Sequence, residues 1–283
     1  MRRYKSIYNK PLRECVIVGG HFNKENTILA KNRDRTYSPN LVIKHRIFHE
    51  VEIAYMKDDD TGWVEGMNEY GIGIVNSSLL VDHDEKEKEI VRATGKKSQD
   101  APRIIKALTY TSIDDVVHSV AYWDTGVKGH TICANKHKVY LVECTGRHDP
   151  VITELKKEDI VVRTNHGYFY QDIGYQHGEK FLSSKLRKST IENSIDGTET
   201  ALTMLDKLNN QENENKFLNP LRDDKKMHTT SQIAYDLFDL KFYFREVKGK
   251  CKFKGVKDLL PKGYEPKIKI EILDPVEISD EEI

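Results

Sequence analysis

The chain has 283 residues, 38% hydrophobic and 32% charged, and its 45 Lys and Arg balance 45 Asp and Glu. Those charges are scattered rather than gathered in one block, which argues against a nucleic-acid or anionic-membrane partner. The longest apolar runs, such as GIGIV at 71–75, are far too short to span a bilayer. A chain of this length buries a full core without metal or disulfide staples.

The first residues, MRRYKSIYNKPLRE, are basic but lack an apolar segment before Cys15, so they do not read as a secretory signal. Cys15, Cys133, Cys144 and Cys251 are widely spaced with no CxxC pair, which implies neither a zinc knuckle nor a disulfide scaffold. A reducing cytoplasm is the expected compartment, and no cofactor or metal is called for.

In chain order, CVIVGG (15–20), TILAK (27–31), VEIAYM (51–56), GIGIVNSS (71–78), KVYLVE (138–143) and DIVVRT (159–164) are rich in β-branched residues and end in turn formers, which predicts strands. NKEN at 23–26 has hairpin-loop composition, so residues 15–31 are expected to form an antiparallel pair beginning at the cysteine. APRIIKALTY (101–110) has helical spacing, and Ser112 with Asp115 resembles a capping box before VVHSVAYW. Two further helices are expected at 178–195 and 199–208, separated by a GT-containing break. NNQENEN reads as a surface loop, and SQIAYDLFDLKFYFREV returns to strand character.

Four local features stand out: Cys15 opening a strand, Asp34 in NRD closing the next, Asn165 in RTNHG, and Arg187 in SSKLR. Each has a plain structural reading: a buried small hydrophobe, a solvated turn, a turn residue, and a water-facing helical arginine.

In combination they resemble the N-terminal-nucleophile hydrolases of the choloylglycine hydrolase, penicillin V acylase, acid ceramidase and acyl-CoA:6-aminopenicillanic acid acyltransferase group. There the nucleophilic cysteine begins a strand and an R-N-x-D motif lies on the next. Here Asp34 follows Cys15 by 19 residues, and KNRD stands where RNxD is expected. GWVEGMNEYGIGIVNSS (62–78), GHTICANKHKVYLVECT (129–145), RTNHGYF (163–169) and FLSSKLRKS (181–189) resemble further family segments in the same order. CNRDE-type proteins of unclear activity are a more distant partial match, since this chain has NRDR.

The resemblance implies an α+β fold, a four-layer αββα sandwich of two antiparallel sheets with helices on the outer faces. It divides the chain into a propeptide, residues 1–14, and a single domain, residues 15–283. By resemblance, Asp34 accepts a hydrogen bond from the freed α-amine, Arg187 positions the network electrostatically, Asn165 offers its side-chain NH2 to the oxyanion, and Asn76 or its neighbourhood supplies a further donor. Members of the class often assemble, which admits a homo-oligomer.

The chemistry explains why these types belong together. Amide hydrolysis needs a nucleophile, a base, an acid for the leaving amine and oxyanion donors. A terminal cysteine supplies the first three, because its α-amine, with a pKa of about 8, sits close to the thiol at about 8.5. Met1 lies upstream, so that amine becomes free only if the Glu14–Cys15 bond is cut. The family arginine falls on Lys31, and Arg33 points to the same strand face.

Rival readings are a nucleophilic Cys144, a papain-like pairing of Cys15 with His166, and an acyl pocket or surface cluster at YFYQDIGY (168–175). The expected activity is hydrolysis of a linear, non-peptide C–N bond in a small-molecule N-acyl amide, through a thioester at Cys15. The alternatives are acyl transfer from the same intermediate, and a non-processing protein of this fold with a binding or structural role.

Overall fold

The computed structural model describes residues 13–23, 26–79, 100–123, 126–146, 148–171, 181–224 and 227–278. Strand alternation sets its layers. β1 (Arg13–Phe22) and β2 (Asn26–Arg35) pair antiparallel along their whole length, with Cys15 opposite Arg33 and Glu14 opposite Asp34. Because successive side chains point to opposite faces, Ile17 and Leu29 join one apolar cluster while Val16, Val18, Ile28 and Ala30 join another.

These two strands lie inside a six-stranded sheet with β10 (Ile160–Arg163), β11 (His228–Asp236), β12 (Lys241–Glu246) and β14 (Lys269–Ile272), in the order β10-β1-β2-β11-β12-β14. The second sheet has eight strands. It contains β13 (Lys252–Asp258), β3 (Asn40–Phe48), β4 (Val51–Asp58), β5 (Val64–Asn68), β6 (Gly73–Ser77), β7 (Gly129–Ala134), β8 (Val139–Cys144) and β9 (Val151–Glu154), in the order β13-β3-β4-β5-β6-β7-β8-β9.

Three cores order the layers. Ile17 and Leu29 of the smaller sheet meet Leu41, Met56, Val75 and Ile132 of the larger one between the sheets. On the outer face of the larger sheet, Tyr55, Ile74 and Val142 pack on Ile104 of α1 (Asp100–Ala107) and Val116 and Val120 of α2 (Ile113–Tyr122). On the outer face of the smaller sheet, Val16, Val18 and Ala30 pack on Ile191 of α3 (Leu182–Ser194) and Met204 and Leu205 of α4 (Ala201–Lys207). The result is the four-layer αββα sandwich. Each fully buried aliphatic side chain contributes roughly 1.5–3 kcal/mol, so all three cores hold the layers together.

Three expectations are corrected. β1 begins two residues before Cys15, because Glu14 is itself buried and tied down on the helix side. The sheets are not wholly antiparallel: β14 runs parallel to β12 and β13 parallel to β3. After β12 the chain leaves for the other sheet and then returns, so it reaches each edge without the reversal a hairpin imposes. Finally, Ser112 does cap α2 by position, but its side chain makes no capping bond; the reciprocal capping box belongs to Thr200 and Thr203 at the start of α4.

Two glycines matter for the site's surroundings. Gly129 (φ +123°) opens β7 so close to β6 that a Cβ would stand 2.2 Å from the Ser77 carbonyl oxygen. Gly71 (φ +69°) turns the β5–β6 hairpin where a Cβ would meet the Leu237 carbonyl at 2.5 Å.

Candidate active site

β2 carries polar residues to both of its faces at one end. Asn32 and Asp34 point toward the helices with Val16 and Ala30, while Lys31 and Arg33 share the inter-sheet side with Cys15 and Leu29. All of them are buried. Two charge clusters result, one on each face.

On the helix face, Arg187 is the centre. Ser184, Arg187 and Ile191 recur at helical spacing along the buried stripe of α3, which turns the guanidinium inward rather than to water. Its Nη1 donates to Asp34 Oδ2 at 3.0 Å, and its Nη2 to Glu14 Oε2 at 2.8 Å and to Asn165 Oδ1 at 3.1 Å. Burial first, and the nearby Arg222 charge second, lower the Arg187 pKa to about 10. Asp34 is pushed above its ordinary value by burial, although Arg187, Arg222 and a 2.8 Å hydrogen bond from Thr229 Oγ1 oppose that shift.

Asn165 follows β10 and is held by the same helix: Ser184 Oγ accepts from the Asn165 backbone N–H at 2.9 Å. The SSxxR segment thus fixes both the backbone of Asn165 through its second serine and the side chain through its arginine. Asn165 Oδ1 also accepts from the Cys15 backbone N–H at 3.1 Å. Its Nδ2 donates to Ser77 Oγ at 3.1 Å and to the Ser78 carbonyl at 2.8 Å. The oxygen faces donors and the nitrogen faces a carbonyl, so in the uncleaved chain the Asn165 NH2 is engaged away from Cys15.

Cys15, Asp34, Asn165 and Arg187 are therefore brought together. Asn76 is spent differently: its carbonyl accepts from Lys31 Nζ at 2.5 Å and its Nδ2 donates to Thr131 Oγ1 at 2.7 Å and the Lys128 carbonyl at 3.3 Å. Its neighbour Ser77 makes the link to Asn165 instead.

On the inter-sheet face, Glu65 of β5 receives Lys31, Arg33 at 2.6 Å and Trp63 Nε1 at 2.6 Å. Asp58 of β4 lies 3.6 Å from Arg33 and 3.8 Å from Arg35, and Arg35 Nη1 reaches within 3.9 Å of Cys15 Sγ. Burial alone would raise the Glu65 pKa, but Arg33 and Lys31 outweigh it and hold the carboxyl down to about 2. The Lys31 pKa is lowered by burial, with the Glu65 carboxylate opposing. Both cations of KNRD thus converge on one carboxylate.

The rival residues are engaged elsewhere. His166 Nδ1 lies 2.8 Å from Ser184 Oγ and 3.2 Å from Thr164 Oγ1, and burial lowers its pKa to about 4. Burial raises the pKa of the Cys144 and Cys133 thiols, and that of Cys251 goes up to about 12. The backbone N–H groups of Tyr168, Phe169 and Tyr170 all donate to Glu143, leaving the rings of Tyr168 and Phe169 exposed; residues 172–175 of that aromatic group lie outside the described residues.

Sequence reasoning missed two site residues. Arg222 sits in the polar stretch after α4, yet it is buried: Asn32 Nδ2 ties that stretch down through the Leu208 and Pro220 carbonyls at 2.8 and 2.9 Å. Phe217 lies 4.2 Å from its guanidinium carbon, and Arg222 Nη1 reaches Glu14 Oε2 at 2.9 Å. In the sequence Glu14 stands out only as the residue before the bond expected to be cut. A lone arginine in a polar loop carries no periodic signal, so only the fold reveals it.

Comparison with known proteins decides the family. The model of the acyl-coenzyme A:6-aminopenicillanic acid acyl-transferase family matches residues 21–249. The chain belongs to that family. The matched range of this acyl-transferase family takes in Asp34, Asn76, Asn165 and Arg187 and begins after Cys15. Among solved structures, the chain is similar to the Caenorhabditis elegans N-acylethanolamine-hydrolyzing acid amidase ortholog, with a TM-score of 0.56 at 11% identity over 79% of this chain and 93% of that one. It also matches the penicillin V acylase of Agrobacterium tumefaciens, with a TM-score of 0.47 at 13% identity over 83% and 86%. No curated protein matches the sequence. The family match and the likeness to the amidase ortholog establish the N-terminal-nucleophile hydrolase fold and an enzyme family acting on acyl groups. Among the described residues no helix is long and apolar enough to cross a membrane, and no cluster of three His, Cys, Asp or Glu could hold a metal.

Proposed function

We propose that the chain is a cysteine N-terminal-nucleophile amidase that removes its own residues 1–14 and then cleaves linear N-acyl amides through a thioester at Cys15. The observation that carries this reading is the 3.1 Å hydrogen bond from the Cys15 backbone N–H to Asn165 Oδ1, in a carboxamide that Arg187 holds against Asp34. The nitrogen that must become the base already has an oriented acceptor before it is freed.

In self-cleavage, Cys15 Sγ attacks the Glu14 carbonyl carbon. The C–N bond breaks as the C–S bond forms, and the thiol proton ends on the Cys15 nitrogen. Water then hydrolyses the thioester, restoring the thiol. In turnover the α-amine takes the thiol proton, Sγ adds to the substrate carbonyl, and the amine returns the proton to the leaving nitrogen.

The geometry refines the assigned roles. Asn165 Oδ1 holds the amine, while Asp34 acts through Arg187 rather than on the amine itself, because its side chain lies on the Glu14 side of the strand pair. For Asn165 Nδ2 to receive an oxyanion, it must exchange its bond to Ser77 or Ser78. The family's description as an acyl-transferase supports a second outcome, release of the same thioester to an amine instead of water.

Intact-mass spectrometry of the purified wild type beside Cys15→Ala tests the reading. Loss of residues 1–14 in the wild type alone is expected. Full-length chains in both, in a preparation that hydrolyses amides, overturn it; full-length chains without thiol reactivity favour the non-enzymatic alternative.

A further inference from the structure

The buried arginine pair loses a partner when the propeptide leaves. Before cleavage, Arg187 and Arg222 converge on one oxygen of Glu14, Oε2, at 2.8 and 2.9 Å, with Asp34 as the other carboxylate beside them. Glu14 is 2% exposed and both arginines are fully buried. Two guanidiniums and two carboxylates balance. Once the Glu14–Cys15 bond is cut and residues 1–14 depart, the two guanidiniums keep Asp34 as their one carboxylate partner among the described residues, beside a new α-amine at Cys15. A buried cation left without its counter-ion is costly, so this site favours another anion.

The geometry points to the occupant. We propose that the mature site takes acyl donors that carry a terminal carboxylate three methylenes from the reacting carbonyl, glutaryl amides being the simplest. This inference rests on the self-cleavage reading above and goes beyond it by naming the acyl group.

The carbon count comes from the chain itself. Between the Glu14 carbonyl carbon and its carboxylate lie Cα, Cβ and Cγ, the frame of a glutaryl group. If self-cleavage proceeds through Sγ, the first thioester formed is a glutamyl one whose carboxylate starts on Arg187 and Arg222. A site able to form and hydrolyse that thioester accommodates the same acyl frame arriving on a separate amine. The bookkeeping is unchanged: the substrate C–N bond breaks, the C–S bond forms, the thiol proton passes through the α-amine to the leaving amine, and water releases glutarate.

Shorter and longer diacids displace the carboxylate from the guanidiniums by about one C–C bond each. An uncharged pentanoyl group fills similar space but supplies no carboxylate in the place of Glu14, so the two arginines keep only the Asp34 ion pairs.

The test uses wild-type protein expressed as the full chain, with its processing state read first by intact mass. Processed protein is then offered succinyl, glutaryl, adipyl and pentanoyl p-nitroanilides, and its melting temperature is measured in glutarate and in pentanoate. The expected result is a kcat/KM for glutaryl about tenfold to a hundredfold above pentanoyl, the range of one charged hydrogen bond, with succinyl and adipyl between. Glutarate, unlike pentanoate, should raise the melting temperature. Arg222→Lys, which keeps the charge and loses the fork, should narrow the glutaryl preference through KM while its melting temperature reports that it has folded. Processed protein with equal or better use of pentanoyl overturns the inference alone, as does processed protein that hydrolyses none of the anilides and gains no stability from glutarate. Protein that never sheds residues 1–14 overturns both this inference and the reading beneath it.

Discussion

The two faces of β2 are built from similar charges and differ in permanence. Between the sheets, Lys31, Arg33 and Arg35 meet Glu65 and Asp58, and every member belongs to a strand that stays in the protein. On the helix side, Arg187 and Arg222 meet Asp34 and Glu14, and Glu14 precedes the proposed scissile bond. The first cluster sets three cations against two carboxylates, with Cys15 Sγ 3.9 Å from Arg35, and the proposed cleavage removes none of these side chains. The second loses a carboxylate if Glu14 leaves, which makes it the face whose ion pairs the proposed cleavage would break. A buried ion pair is by itself weak evidence for stability; here the informative point is which partner can leave.

The largest way to test this contrast is Arg187→Met. It leaves Glu14 and Asp34 sharing Arg222 and removes a hydrogen bond from Asn165, so denaturant unfolding should show a loss of about 3–5 kcal/mol together with impaired self-cleavage. Next comes Asn165→Ala, which removes both the acceptor of the Cys15 N–H and the Nδ2 donor proposed for the oxyanion, and should slow self-cleavage by about 10² to 10³, followed by mass against time. An Asn165→Ala chain that processes at the wild-type rate breaks the assignment of Asn165.

Glu65→Gln probes the other face. The Glu65 carboxyl lies below its ordinary 4.5, at about 2, so an unfolded chain binds this proton first as acid is added. Its contribution is complete above about pH 4.5 and is lost as pH falls toward 2, amounting to about 3 kcal/mol. Wild type minus Glu65→Gln should therefore lose its stability difference across that window, while self-cleavage at neutral pH changes by no more than a few fold. Asp34 should behave with the opposite sign. Burial raises its pKa above the ordinary 3.8, so the fold gains stability as pH falls through the raised value, and Asp34→Asn should remove that gain. Equal pH slopes in the two variants would falsify the distinction between the faces.

The smallest expected effect lies far from both clusters. Thr200→Ala removes the reciprocal cap of α4 and should cost about 1 kcal/mol in denaturant unfolding, leaving processing unchanged.

Much of this was legible in the residues. The β-branched runs CVIVGG and TILAK, with turn formers between them, predict a strand pair, and the helix expected over 178–195 contains α3. The spacing of Cys15, Asp34, Asn165 and Arg187, read with the family resemblance, picked out a group that the fold brings together. β3 was missed because the apolar triplet at 41–43 runs into KHR and blurs the period of two. A further oxyanion donor is expected from Asn76 or its neighbourhood; β6 places the Asn76 NH2 on Thr131, while neighbouring Ser77 contacts Asn165. The loop expected at NNQENEN stops short of Arg222, and nothing in the composition of the polar residues around that arginine says that it is buried.

The sequence alone determined the strand periodicity, the helical stripes and the order of the motif residues, because these depend on spacings of two to four residues along one chain. Only the tertiary structure decided that Glu14, Asp34, Arg187 and Arg222 share one buried site, and that Lys31 and Arg33 share Glu65. These are contacts between residues far apart in the chain, and the sign of a buried charge's influence depends on the partners that packing brings within hydrogen-bond reach. Alternation assigned each side chain to a face; the facing layer decided what that face could do.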